Sequence, residues 1–411
     1  MKANWKFVLG WLLCLGAPPA WAELPTERLE LSQALEYAFE HSPVWIGVQA
    51  EVAAVSARAQ GAGGWDAPRM MIEQGPQDEK YSLVQPLPFW GWSDLESEAA
   101  ELNAQAASFE QEAKRRELER QVKSTFYDLW QLEGIPGLLE EIQTLFEKLA
   151  ETGSIESQRN QDMLGASLET QAKLGENAYE LVQKQDQLTN ARVRLNRLLG
   201  RSDDPWVTSV ADPPQPKLGM ELKELIAQAL ATHPTLKALK LKEQAAARER
   251  ELQSSKSHAP MVELGFNYFK MGPSTMGTNP VRQYNYSFSL GFSLPWGNSR
   301  LGAAAEAEEA GATAALENRK AFEEEVIEQV SVHFHHAQNA FRLVRLMEDQ
   351  VLPPAKMADQ INQRLYSGGG RGMSLSLSSR VNLLNIKIKT LNAKAEYLKA
   401  VAELEEWAGK F

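Results

Sequence analysis

The sequence contains very little cysteine, with the single residue Cys14 in a chain of 411. One cysteine excludes an intrachain disulfide, and Cys14 lies in an N-terminal apolar run that we expect to be removed. Positive charge is also scarce, because 43 Lys and Arg oppose 54 Asp and Glu for a net charge of -11. This acidic balance argues against a nucleic acid partner.

Long apolar runs are missing after the N-terminus, where no stretch reaches the 18 residues of a membrane-spanning helix. The N-terminus itself has basic MKANWK, apolar FVLGWLLCLGA and small residues at Ala20 and Ala22. This pattern predicts a signal peptide at 1–22, since the apolar run is too short for an anchor. An exported polar chain is compatible with a soluble periplasmic protein and with an outer-membrane barrel.

Enzyme motifs are missing too, since the sequence has no P-loop, no G-x-S-x-G and no HExxH. We therefore predict no enzyme, no catalytic residue and no cofactor. The one histidine cluster is HFHH, in which His333 and His336 share a helix face. A metal site needs a third ligand, and the neighbouring sequence offers none. We interpret these histidines as polar surface residues, with a zinc- or copper-binding periplasmic protein as the alternative.

The sequence contains an internal duplication. LELSQALEYAFEHSP at 29–43 matches MELKELIAQALATHP at 220–234, and each opening is followed by the same order of segments. That order is a second helix, an extended region, a long helical run, a Gly/Ser break and a closing helix. A Pro/Asp-rich stretch between the copies reads as a linker. The predicted division is a signal peptide at 1–22, a first repeat at 23–200, a linker at 201–219 and a second repeat at 220–411.

Two helical runs are unusually long. They cover about 93–152 and 301–365, and at 1.5 Å per residue fifty helical residues extend about 75 Å. Their apolar residues form a narrow seam, which is typical of coiled coils. We expect the first run to be interrupted at 134–137, where Gly and Pro cluster, and the second at Pro353-Pro354.

Each copy also offers one β-hairpin, at about 68–90 and about 260–295. In the second hairpin, large apolar residues alternate with Asn, Ser and Gly over a length that crosses a tilted bilayer. A sheet of a soluble sandwich is the alternative, but the surrounding helices offer no second sheet. The first hairpin is expected to be shorter. The predicted membrane-facing residues are Tyr284, Tyr286, Phe288, Leu290 and Phe292.

Tryptophan marks the junctions between strand and helix in both copies. Trp90, Trp92 and Trp296 are predicted to form a belt at the membrane interface. Four strands cannot close a barrel, and each unsatisfied backbone group in hydrocarbon costs several kcal/mol. The sequence therefore predicts an oligomer that closes the sheet, with Ser287, Ser289 and Ser293 facing water.

Taken in order, these features resemble the TolC family of outer-membrane efflux proteins. The matching residues are the duplicated opening, the strand ends QPLP and FSLP, and the closing helices NARVRLNRLLG and NAKAEYLKAVAELEEWAG. The resemblance covers essentially the whole mature chain. The stretch QPLPFWG is most like the heavy-metal branch of CzcC-like and CusC-like ducts.

The resemblance implies a mainly α fold with β strands, in which a long-helix α-barrel continues a transmembrane β-barrel of four strands per chain. It implies a homotrimer that acts as the passive exit duct of a tripartite efflux system for metal ions or small toxic compounds. Its implied partners are a periplasmic adaptor, an inner-membrane pump and outer-membrane lipid. The alternative is a soluble periplasmic coiled-coil scaffold or adaptor.

The resemblance also assigns roles to the turns at the periplasmic tip, where glycine permits tight turns and serine can cap a helix. Unlike the best-known family member, this chain has no Asp or Glu at 373–395, so its aperture is expected to be neutral or basic. The predicted adaptor-docking residues are Gly153, Ser154, Ile155, Gly368, Gly372, Met373 and Ser374. The aperture candidates are Leu375, Ser378 and Arg380.

Overall fold

The computed structural model describes residues 28–75, 78–157, 164–201, 209–216, 219–271, 283–294, 299–367 and 373–410. The predicted signal peptide and part of the predicted linker lie outside these ranges. Within them, no helix is long and apolar enough to cross a membrane. The elements in chain order are α1 (Leu31–His41), α2 (Pro43–Gly61), β1 (Arg69–Gln74), β2 (Asp78–Leu87), α3 (Trp92–Ser157), α4 (Leu164–Leu198), α5 (Leu222–Thr232), α6 (Pro234–His258), β3 (Met261–Met271), β4 (Gln283–Ser293), α7 (Ser299–Leu346), α8 (Leu352–Ser367) and α9 (Met373–Ala408).

The two copies begin with the same local structure. α1 and α5 each start with a reciprocal capping box, led by Glu30 and by Glu221. α2 and α6 then start at Pro43 and Pro234, the first helical position, where the missing N–H of proline removes no helical hydrogen bond. The repeated sequence therefore builds the same helical corner twice.

The four strands form one antiparallel sheet in the order β1-β2-β3-β4. Pairing of β2 with β3 joins the two copies, with Leu83 opposite Phe266. The first hairpin is the shorter one, as predicted, because β1 has six residues and β4 has eleven. The two edges of the sheet are β1 and β4. Among the described residues, no helix packs across either face of the sheet.

The helices form a layer one helix thick beside the sheet. α3 has 66 residues, so at 1.5 Å per residue it extends about 100 Å. Near the sheet α3 packs between α2 and α6, and farther away it packs between α4 and α9. α7 and α8 pack against the far sides of α6 and α9, so α4 and α8 are the outer helices of the distal half. Buried side chains of three clusters, around Phe126, Tyr397 and Leu384, hold this layer together.

The expected interruption of the first long helix is wrong. α3 continues through Pro136, because Ile135 and Leu139 are buried in the cluster that α3 shares with α9. A Cβ at Gly134 would come within 2.7 Å of Leu391, so this glycine permits the close approach of α9.

The second long helix is interrupted close to the predicted place. A π-helical turn at Met347–Val351 separates α7 from α8 directly before Pro353-Pro354. In this wider turn the N–H of Leu352 donates to the carbonyl of Met347. The turn accommodates two prolines that have no N–H to donate.

Candidate functional site: an apolar sheet face and a helical tip

One face of the sheet is apolar and open to its surroundings. Phe288 and Tyr286 are exposed to 80% and 74%, and the ring centroids of Phe266 and Phe288 lie 5.4 Å apart. The strand register aligns side chains of all four strands into continuous rows on this face. The rows are Ile72–Tyr81–Tyr268–Tyr286, Met70–Leu83–Phe266–Phe288, Gln85–Leu264–Leu290 and Leu87–Val262–Phe292. All five predicted membrane-facing residues share this face with them, and all five are exposed.

The height of this apolar face matches that of a membrane barrel. Tyr284 and Phe292 are eight residues apart on β4. Eight steps of about 3.4 Å, tilted by about 40°, give a height of about 21 Å, close to the apolar band of about 25 Å in outer-membrane barrels. The apolar face ends, on the side of the hairpin loops, at an ion pair in which Lys270 Nζ lies 3.0 Å from Glu79 Oε2.

The opposite face of the sheet is polar and crowded. Ser82 and Asn267 are buried there, and Asn267 Nδ2 donates to Ser289 Oγ at 3.2 Å. Arg69 and Glu263 form an ion pair of 3.2 Å on the same face. A Cβ at Gly265 would collide with the Ser289 hydroxyl. Small polar side chains buried on a face that no helix covers indicate a concave, inward surface.

Of the described members of the predicted tryptophan belt, only one is exposed. Trp90 is 95% exposed at the helical end of the sheet. Trp92 is buried instead, and its Nε1 donates to Ser255 Oγ at 2.8 Å, so it fixes the start of α3 against α6. The prediction for Trp92 as a belt residue is therefore wrong. Trp296 lies outside the described residues.

The distal ends of α3, α4, α8 and α9 form the tip opposite the sheet. Gly153, Ser154 and Ile155 were expected in a turn, but α3 remains helical through Ser157. Gly368 and Gly372 lie outside the described residues. Met373 and Ser374 are the first two residues of α9.

The three aperture candidates lie on the first two turns of α9. Leu375 is 59% exposed and Ser378 is exposed as well, while Arg380 is engaged with two other helices. Its Nε lies 2.9 Å from Glu141 of α3, and a terminal nitrogen lies 3.0 Å from Asp359 of α8. The charge of Arg380 is thus balanced by two carboxylates. These partners could not be predicted from local sequence, since Glu141 is 239 positions away from Arg380.

His233 occupies the corner between α5 and α6. It is 6% exposed, and its ring centroid lies 5.3 Å from that of Phe322 and 5.5 Å from that of Trp407. Burial, with a smaller contribution from Arg116, lowers the pKa of His233 to about 4. The ring is therefore neutral at neutral pH and is part of the core.

This burial predicts a loss of stability in acid. Because the folded pKa of about 4 lies below the ordinary 6.5, stability is fully present above pH 6.5 and falls as pH decreases toward 4. At pH 5 the loss is about 2 kcal/mol per chain. We expect His233→Gln to show a smaller drop in thermal midpoint between pH 7.5 and pH 5, as measured by circular dichroism. The exposed His335→Gln serves as the control, and equal pH dependence in His233→Gln and wild type would contradict the assignment.

Comparison with known proteins finds one matching family model and several solved structures of similar fold. Residues 225–410 match the model of the outer membrane efflux protein family. The matched segment lies within the second predicted repeat. No curated relative matches the chain.

Solved structures of similar fold extend the likeness beyond the efflux protein domain. The chain superposes on the open state of the MtrE outer membrane channel of Neisseria gonorrhoeae with a TM-score of 0.75 at 15% identity, covering 92% of this chain and 88% of that one. CusC superposes with a TM-score of 0.73 at 14% identity, covering 93% of this chain and 92% of that one. VceC of Vibrio cholerae superposes with a TM-score of 0.70 at 17% identity, covering 92% of this chain and 96% of that one. Both copies therefore share the fold of these channels, and the soluble sandwich is excluded.

Proposed function

We propose that this chain is a passive exit duct in the outer membrane, which extends into the periplasm and serves a tripartite efflux system. The observation that supports it best is the uncovered apolar face of the sheet, directly continuous with helices of about 100 Å. A soluble scaffold would expose this face to water, which makes that alternative unfavourable. The family is one of channels, and its members form trimers that work with an adaptor and an inner-membrane pump.

The sheet itself argues for a trimer of this chain. Its edges β1 and β4 leave backbone groups unpaired, which is too costly in hydrocarbon. Three copies of four strands close a barrel of twelve. The polar face then lines the water-filled interior, where Asn267 and Ser289 lie.

The outer helices supply a second contact between copies. α8 exposes an apolar stripe of residues four apart, at Met357, Ile361 and Leu365, and α4 exposes Tyr179 and Val182. Because α4 and α8 are the two outer helices of the distal half, closing a ring places α8 of one copy beside α4 of the next. Burial of these two stripes stabilises each junction.

The stripe on α8 gives a test of the trimer. Ile361→Asp removes about 1.5–3 kcal/mol of apolar burial per junction and places a carboxylate in an apolar contact. We expect this variant to lose the oligomer that survives detergent electrophoresis without heating. Gln360→Asp, the exposed neighbour off the stripe, should retain it. A stable Ile361→Asp trimer would contradict this interface.

The tip is proposed as the adaptor-docking end and the closable aperture. Leu375 and Ser378 line the constriction, while Arg380 holds α9 to α3 and α8. The energy for export comes from the pump, so the duct needs no catalytic residue. We propose metal ions or small toxic compounds as cargo, in line with the heavy-metal branch that QPLPFWG resembles.

Cell fractionation tests the function. The mature protein should require detergent for extraction from the outer membrane, and a strain that lacks it should become sensitive to the exported compounds. Screening that strain against metal salts and organic toxicants would identify the cargo. Recovery of a soluble periplasmic monomer would contradict the duct and favour the scaffold.

A further inference from the structure

One side of α9 forms a narrow exposed stripe that starts at the aperture candidates. Its members follow one another in alternating steps of three and four residues, which keeps them on one side of the helix. They are Leu375, Ser378, Asn382, Asn385, Lys389 and Asn392. The residues between them are buried or half-buried, so the stripe is the most exposed side of this part of α9.

α3 places no charge beside this stripe toward the tip. Gln131 Nε2 of α3 donates to Asn392 Oδ1 at 2.8 Å, so these two side chains share one side of the helical wall. Ile135 and Ile142 follow Gln131 on the same side of α3, four and eleven positions further along the chain. Both are buried in the cluster that contains Ile388 of α9. The stripe of α9 is therefore bordered by apolar residues of α3.

The linker occupies the other side of the wall. Trp130 Nε1 donates to Asp212 Oδ1 at 2.8 Å, and Glu133 Oε2 accepts from the backbone N–H of Val210 at 3.2 Å. Glu133 follows Gln131 by two residues, which is a rotation of about 200° around α3. Because three linkers inside the proposed ring would obstruct the duct, the linker side is the outside and the stripe faces the lumen.

Lys389 is the one charged residue among these stripe members, since no Asp or Glu occurs at 373–395. In the described part of the chain it forms no ion pair. Lys387 lies on the opposite side of α9 together with Arg380 and Lys394, to which it is related by steps of seven residues. Arg380 has two carboxylate partners, and Lys394 lies 2.7 Å from a third. The uncompensated charge of the stripe is thus that of Lys389.

The next carboxylate on the same side of α9 does not neutralise Lys389. Glu396 is seven residues further from the tip, about 10 Å along the helix axis. It is engaged by Lys399 at 3.3 Å and by His336 at 3.4 Å.

We propose that Lys389 sets the ion preference of the duct. In the trimer the three copies of α9 surround the lumen, so Lys389 forms a ring of three positive charges between rings of neutral Asn385 and Asn392. Rings of lysine or arginine favour anions in water-filled pores. The inference rests on the proposed function and narrows its cargo, because such a ring favours small compounds that carry negative charge over free metal cations.

The experiment measures the reversal potential of the purified mature trimer in planar lipid bilayers under a KCl gradient. The wild type should pass Cl⁻ more readily than K⁺. Lys389→Glu turns three positive charges into three negative ones and should lower the permeability ratio of Cl⁻ to K⁺ by about 3-fold or more, so that K⁺ is preferred. Lys389→Gln should lower the ratio less, and Lys387→Gln, the same change on the opposite side of α9, should leave it unchanged.

A second variant tests the stripe without changing Lys389. Asn385→Asp adds a negative charge to the next ring toward the tip and should also lower the ratio. These differences should grow as the ionic strength falls below about 0.1 M, where charges act over more than about 10 Å.

A wild-type trimer that prefers K⁺ would overturn the proposal, as would a ratio that is the same in the wild type and in Lys389→Glu. An equal change in Lys387→Gln and Lys389→Gln would also overturn it, since the stripe would then not be the lumen side. The heat-labile trimer band establishes that each variant is assembled. A wild-type trimer without any conductance would instead contradict the duct itself, so the two proposals fail separately.

Discussion

Replacing Phe288 by lysine is expected to prevent stable assembly in the outer membrane. Phe288 is 80% exposed at the centre of the apolar face, opposite Phe266. In the proposed barrel it meets lipid near mid-bilayer, where a lysine costs about 2–4 kcal/mol. A trimer carries three copies of the change, so the total penalty is comparable to the whole stability of a domain.

The neighbouring Ser287→Lys is the matched control. Residues 287 and 288 point to opposite faces of β4, so lysine at 287 enters the polar, water-facing side. We expect Ser287→Lys to yield a normal amount of heat-labile trimer in the outer membrane, and Phe288→Lys to yield little. The comparison is made by membrane fractionation and unheated electrophoresis. Equal trimer levels for the two lysine variants would refute a lipid-facing role for this face.

Replacing Lys123 by methionine is expected to destabilise the helical wall by about 3 kcal/mol per chain. Lys123 is 8% exposed, and its Nζ lies 2.8 Å from Glu119 and 2.6 Å from Glu405. Burial alone would lower the pKa of Lys123, but the two carboxylates raise it, so the ammonium remains charged. Methionine keeps the apolar stem and removes the charge, which takes the cation away from Glu405 and leaves Glu119 with Lys410 alone, at 3.0 Å.

Lys114→Met on the same helix is the control. Lys114 pairs with Glu117 at 2.9 Å but is 62% exposed, and such surface pairs contribute less than about 1 kcal/mol. Urea unfolding followed by circular dichroism should separate the two variants clearly. Adding Glu405→Gln to Lys123→Met should restore part of the loss, because it removes one uncompensated carboxylate. Equal midpoints for Lys114→Met and Lys123→Met would contradict the buried network.

The sheet was predictable because its signal is local. Alternation of large apolar and small polar residues along β4 identifies both faces without knowledge of the partner strands. Likewise the twin motifs that end at Pro43 and Pro234 indicate the two helical corners. The length of the helices follows from sustained periodicity.

Contacts between distant helices could not be predicted. Pro136 suggests a break, yet packing of Ile135 on α9 keeps α3 continuous. The pairing of His333 with Glu403 and of Arg380 with Glu141 depends on the axial register of α9 against its neighbouring helices. A shift of one helical turn would give both residues other partners. Tryptophan is typical of the membrane interface, which is why the sequence suggested that role for Trp92. Its hydrogen bond with Ser255 depends on the packing of α3 against α6, which the sequence does not show.

The unequal edge strands decide where the proposed barrel is weakest. β4 offers eleven residues, while β1 of the adjoining copy offers six, so five positions of β4 find no partner strand at each subunit seam. The seam between β2 and β3, inside one chain, is ten residue pairs long. Under membrane tension the barrel would therefore open first along its three subunit seams. The four strands of each chain would stay paired with one another and separate from the neighbouring chains as one sheet.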